Sequence, residues 1–140
     1  MLIYNRDDIL LPWVAERINQ PGFQSGAVAI GIGDGARIRG AVVYECVNQA
    51  DCYMHVASDG SGRWLTREFL THVFAYPFIQ LGLRRVTAMV PAKNAHAIRF
   101  DEKLGFKREG YHPHGIPDDD LVSLGMLRAD CRFIPQEFRQ

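Results

Sequence analysis

The residues best suited to chemistry fall in two stretches. In the first, the turn Ser58-Asp59-Gly60-Ser61-Gly62 stands before a helical pattern of Leu65, Phe69, Val73, Phe74, Phe78 and Leu81. Small residues at Gly60, Ser61 and Gly62 let backbone amides face outward. The positive end of the following helix adds to them, so the turn can hold a phosphate or pyrophosphate, with Arg63 and Arg67 in support. It also serves as a plain tight connection, and it is neither a Walker loop nor GxGxxG. Just ahead of it His55 offers an imidazole, a group that unperturbed titrates at about pH 6.5, which can accept a proton near neutrality or simply hydrogen-bond within a sheet. Glu45 and Tyr53 are reserve groups for the same work. In the second stretch, Asn94 to Phe106, helical spacing puts Asp101 on the side of Ala97 and Leu104. Burial there would raise its pKa enough for proton transfer, whereas an ion pair with Arg99 or Lys103 would make it purely structural.

Two further groupings are weaker as sites. His112, His114 and Asp118-Asp119-Asp120 contain metal-ligating types, but scattered around Pro113 and Pro117 they read as a solvated loop, and no metal is expected. The excess of Arg84, Arg85, Lys93, Arg99, Lys103, Lys107 and Arg108 over Asp101 and Glu102 suits an anionic ligand as well as a solvated face.

The elements that must position these groups follow from pattern. Pro12 in a first helical turn, then Trp13, Val14, Arg17 and Ile18, predicts a short helix closed by Asn19, Pro21 and Gly22. Ala27–Ile32 and Arg37–Val47 read as strands about a tight Gly33-Asp34-Gly35 turn. Cys52–Ala57 reads as a third strand, with Cys52, Met54 and Val56 on one face and Tyr53, His55 and Ala57 on the other. Pro77 should kink or end the long helix. Arg85–Val90 is a further strand, Asn94 caps a helix to Leu104 with Gly105 as its C-terminal αL residue, and Lys107–Tyr111 and Leu121–Cys131 close the chain as a strand pair. The expected architecture is an α/β (α+β) layer with helices on a mostly antiparallel sheet.

Composition sets the boundaries. At 140 residues, 47% hydrophobic and 23% charged, the chain has the size and core of one domain spanning 1–140. Sixteen Lys plus Arg balance sixteen Asp plus Glu, which speaks against a protein that coats nucleic-acid backbones. Three cysteines without CxxC spacing give no disulfide framework or zinc pattern and fit a reducing, cytoplasmic setting. The apolar run Ile9–Ala15 is too short to span a membrane, and no secretory leader is read ahead of it.

The spacing Asn94-x-x-Ala97, then Glu102-Lys103-Leu104-Gly105-Phe106, then Arg108-Glu109-Gly110, resembles the Gcn5-related N-acetyltransferase (GNAT) superfamily, particularly its ribosomal-protein Nα-acetyltransferase branch. The glycine turn, the order of elements and Asp119-Asp120 ahead of Val122–Arg128 extend the resemblance from about Ala27 to Arg128. It implies helices on both faces of the sheet and acetyl-CoA as cosubstrate, lying where the strand with the glycine turn splays from Arg85–Val90. The pantetheine arm would pair with the backbone at Met54 and Val56. The pyrophosphate would meet Asp59, Gly60, Ser61, Gly62, Arg63 and Trp64, and Asn94 would contact cofactor or nearby backbone as well as cap its helix. The acceptor would be a protein N-terminus, a lysine or a small amine, with no nucleic acid or membrane as partner, and exposed strand edges leave room for a homodimer. The family turn runs Arg or Gln, two residues, Gly, one residue, then Gly or Ala. Aligned on Gly62, this chain places Asp59 first and Trp64 last, a carboxylate against the pyrophosphate and an indole in a small space. Where many relatives carry an acidic Tyr seven residues after the Asn, or a Ser three after it, stand Asp101 and Ala97. These departures support an alternative, a silent binding module that keeps the fold without turnover.

Overall fold

A computed structural model describes residues 1–140. The elements are β1 (Leu2–Ile3), α1 (Asp7–Arg17), β2 (Val28–Gly33), β3 (Ile38–Glu45), β4 (Tyr53–Ser58), α2 (Arg67–Ala75), β5 (Arg85–Pro91), α3 (Ala95–Leu104), β6 (Lys107–Ile116) and β7 (Asp119–Leu127). The strands make one seven-stranded sheet in the order β1-β2-β3-β4-β5-β7-β6. Every neighbouring pair is antiparallel except β4 and β5, which run parallel. The expected layer of helices on a mostly antiparallel sheet is therefore the observed one. No helix is long and apolar enough to cross a membrane.

Alternation along the strands divides the core. Met54 on β4, Val86, Ala88 and Val90 on β5, and Val122, Leu124 and Met126 on β7 project to one face. There they meet Phe69, Val73 and Phe74 of α2, Phe78, and Ile98 and Leu104 of α3. Ala29, Ala41, Val43 and Ala57 project to the other face, against Leu10 and Val14 of α1. A period of two on the strands and of three to four on the helices is sufficient to produce both surfaces. The Tyr44 side chain, fully buried in the larger cluster, donates its hydroxyl to the Val73 carbonyl at 2.5 Å and so ties β3 to α2.

Several elements differ from the pattern reading: the short strand β1 precedes the first helix, and the closing strand read as Leu121–Cys131 ends at Leu127, with Arg128–Asp130 in a 3-10 turn. The first helix begins at Asp7, and Pro12 lies inside it. Asp7 and Asp8 favour a helix start, Asp7 accepts the Ala29 amide at 3.0 Å, and Leu10 and Val14 bury against the sheet, which together outweigh the lost backbone bond at Pro12. At Pro77 the α-helix does end early, at Ala75, and continues as a π-helical turn over Tyr76–Gln80. The residues read as a polar loop, His112, His114 and Asp118–Asp120, belong largely to the β6–β7 ribbon. Tyr111 donates to Asp120, the His114 amide donates to the same carboxylate at 2.8 Å, and His112 bonds Ser123 at 3.1 Å. These side chains replace apolar packing as the glue of an exposed ribbon.

Candidate active site

The sheet is joined at its centre by very little. β4 and β5 share a single register pair, Tyr53 with Thr87, where the Thr87 amide donates to the Cys52 carbonyl at 2.9 Å. The Arg84 and Arg85 amides both reach the Ala50 carbonyl just before it, and the Thr87 hydroxyl donates to Asp51 at 2.8 Å. Beyond Tyr53 the two strands part, while β4 keeps full pairing with β3 as far as Ser58 with Gly40.

Strand geometry fixes which backbone groups face the opening. Successive residues point their N–H and C=O to alternate sides. The Cys52 carbonyl points to β5 and the Asp59 amide to the Arg39 carbonyl next to β3, at 2.8 Å. Even-numbered residues of β4 therefore face β5, so the Met54 carbonyl and both backbone groups of Val56 line the gap. By the same alternation Met89 lines it from β5. A row of unpaired backbone groups within a sheet is the complement of an extended ligand with amides of its own. Met54 and Val56, named from the sequence, stand where such a ligand could pair.

At the far end of β4 the turn is built differently from expectation. Gly60 and Gly62 adopt φ of 87° and 76°, a conformation that L side chains rarely take, and nothing crowds either Cα. Asp59 does not confront a ligand: its carboxylate accepts the Ser61 amide at 2.9 Å and the Arg39 guanidinium at 3.4 Å. Hydrogen bonds from Ser61, then from Arg39, hold this carboxyl below the usual range. The charge expected to repel is thus partly offset, by an Arg39 that also meets Asp34 at 2.9 Å, but the Ser61 amide is consumed. Trp64 does not occupy the turn either. Its indole, 6% exposed, lies over Gly40 and against Phe69 and Phe100, inside the larger core cluster. A third correction concerns the helix dipole: Thr66 caps α2 by accepting the Phe69 amide at 3.1 Å, so Arg63–Thr66 separate Gly62 from the first helical residue. The amides of Gly62, Trp64 and Leu65 make no hydrogen bond within the protein.

The proton-transfer candidates lie on opposite faces of the sheet. His55 leaves β4 between Met54 and Val56 on the α1 side, where its Nε2 meets the Glu45 carboxylate. The pair is nearly enclosed, at 11% and 8% side-chain exposure, with the Phe23 ring 5.2 Å from the imidazole. Burial pushes the His55 pKa below its ordinary value, opposed by the Glu45 charge and hydrogen bond. Phe23 and the Gln24 amide, which donates to Glu45 at 2.9 Å, were invisible in the sequence because the stretch between α1 and β2 carries no motif. On the other face Asp101 shares the inward stripe of α3 with Ile98 and Leu104 and is 7% exposed. The expected pairing with Arg99 or Lys103 is not formed: Asp101 has no ion pair and no side-chain hydrogen bond. Burial alone pushes its carboxyl up to about 7. Asn94 caps α3, its side chain accepting the Ala97 amide at 3.1 Å, and Gly105 ends the helix at φ 119°.

The sequence matches no family model and no curated protein. Solved structures do match. A ribosomal-protein-S5-alanine acetyltransferase from Vibrio fischeri superposes with a TM-score of 0.69 at 15% identity, over 96% of this chain and 94% of that one. A spermidine N-acetyltransferase SpeG mutant from Vibrio cholerae gives 0.62 at 19% identity, over 89% and 76%. The Campylobacter jejuni N-acetyltransferase PseH in complex with acetyl coenzyme A gives 0.57 at 12%, over 74% and 70%. The splayed parallel junction, the glycine turn and these superpositions agree: the chain has the fold of the Gcn5-related N-acetyltransferases.

Proposed function

We propose that this protein is an acetyl-CoA-dependent N-acetyltransferase that moves the acetyl group to an amine by direct attack. The observation that carries the reading is the β4–β5 opening, with unpaired backbone at Met54 and Val56, glycines at positive φ beyond it and His55 beside it. Those residues fit the group. Met54 and Val56 would hold the pantetheine arm, the amides of Gly62, Trp64 and Leu65 the pyrophosphate, and Arg63 and Arg67 would add charge. Acetyl-CoA supplies an activated thioester when bound. His55 takes the proton of the amine nitrogen, and Asp101, neutral below about pH 7, supplies a proton toward the sulfur in place of the Tyr that relatives carry. The acceptor is a protein N-terminus, a lysine or a small amine.

With Asp59 paired to Arg39 and Trp64 packed in the core, the silent-module reading loses two of its three supports and rests on the missing Tyr. The test is calorimetry with acetyl-CoA followed by a thiol-release assay over a panel of amines and peptides. Binding with release is the expected result. No binding at millimolar ligand refutes the transferase, and binding without release to any acceptor leaves the silent module as the better account.

A further inference from the structure

How His55 is made into a base follows from its neighbours, on the footing of the transferase reading above. In the β3–β4 register Val43 stands opposite His55 and Glu45 opposite Tyr53, so Glu45 and His55 are diagonal neighbours on one face. One oxygen of Glu45 meets Nε2 and the other, Oε1, accepts the Gln24 amide. The connection from α1 to β2 is thereby tied to the strand pair through a carboxylate. Phe23, from the same connection, covers the ring. Glu45 is the only charged side chain acting on the imidazole; Phe23 and Gln24 from the connection and Val43 from β3 bring none.

A carboxylate against Nε2 is satisfied by an N–H and repelled by a lone pair, so the proton of the neutral ring resides on Nε2. The free lone pair is then on Nδ1, which makes no hydrogen bond within the protein. We infer that Glu45 is a positioning residue, oriented by the Gln24 amide, that fixes His55 in the Nε2–H tautomer and so makes Nδ1 the atom that takes the amine's proton. Glu45 is not itself the base, since both of its oxygens are engaged. In the transfer, the amine lone pair forms the bond to the acetyl carbonyl carbon. The carbon–sulfur bond breaks with its electron pair leaving on sulfur, and the nitrogen's proton passes to Nδ1. The imidazolium so formed lies against the Glu45 charge, which stabilises it.

The experiment is long-range proton–nitrogen correlation on the full chain labelled with 15N-histidine, with assignment by the His55→Ala variant. Wild type should show His55 as the Nε2–H tautomer. Glu45→Ala should lose that preference and lower kcat about tenfold or more while KM for acetyl-CoA stays put, as expected of general-base help worth 10²–10⁴. Glu45→Gln offers one acceptor oxygen where Glu45 offers two, to the Gln24 amide and to Nε2, so its Nε2–H preference should weaken. Having lost the charge, it should move the acid limb of the kcat profile to lower pH. If Glu45→Ala does not fold, wild type and Glu45→Gln still decide. An Nδ1–H signal in a wild type that releases thiol overturns this inference alone, as does full kcat in Glu45→Ala. Absence of thiol release from wild type overturns the transferase reading and the role of Nδ1 together.

Discussion

Replacing Asp101 by Asn should make the protein more stable at alkaline pH and leave it nearly unchanged in acid. The carboxyl is buried on the inward stripe of α3 without a cation or donor, and its pKa rises from 3.8 to about 7 through burial. A folded state that holds a proton the unfolded chain has released loses stability as pH rises between those two values, and the loss is complete above the higher one. Converting that gap at about 1.4 kcal/mol per pH unit gives a ceiling of ~4 kcal/mol for the charged form at pH 8. Asn has the same shape without the charge, so the variant should gain ~2–4 kcal/mol at pH 8 and almost nothing at pH 4, where the folded Asp101 is already neutral. Urea unfolding of both proteins at half-unit steps from pH 4 to 8.5 reads this out, since the difference cancels every group except Asp101. A difference that does not grow with pH would mean that the carboxyl ionises normally. Asp101 would then have no proton to give the leaving sulfur at neutral pH. The same shift sets the rate profile: with His55 free above a pKa below 6.5 and Asp101 protonated below about 7, turnover should peak near neutrality and fall on the alkaline side.

At the turn, Gly62→Val forces a β-branched residue to φ 76° and should abolish the thermal shift produced by acetyl-CoA, a shift that would correspond to ~2.7 kcal/mol at a hundredfold excess over Kd. Asp59→Asn keeps an acceptor for the Ser61 amide but removes one of the two carboxylates on Arg39, which retains Asp34, so calorimetry should show tighter acetyl-CoA binding, by a margin that shrinks in high salt; unchanged affinity would mean that the Asp59 charge does not act on the pyrophosphate. Gly40→Ala would set a methyl 2.7 Å from the Trp64 ring, and a loss of ~1–3 kcal/mol in urea unfolding is expected.

Local chemistry made much of this fold legible. Alternation assigned the two faces of β4, the glycine after Leu104 ended α3 as its αL preference demands, and the turn residues between the early strands marked an antiparallel meander. What escaped was set by contacts distant in sequence. Pro12 looks like a helix start until Asp7 is seen to hold Ala29. Trp64 looks like an intruder in a ligand loop until the space above Gly40 is seen to be filled by its ring. Asp101 looked easily paired because Arg99 and Lys103 are close in sequence, yet helical rotation carries both away from the face on which Asp101 lies. Gln24 meets Glu45 and Phe23 meets His55 only because the connection after α1 folds back over β3 and β4.

The single register pair between β4 and β5 means that this sheet has four edges rather than two. Val56 and Met89 belong to central strands, yet their inward amides have no neighbour in the ladder. Hydrogen exchange should therefore divide the molecule in an unusual way: slow amides along β3 and β7, and two fast ones at the middle of the sheet, exchanging as an outer edge does. A ligand lying in the opening would slow those two amides first, so the protein carries at its centre a reporter of its own occupancy.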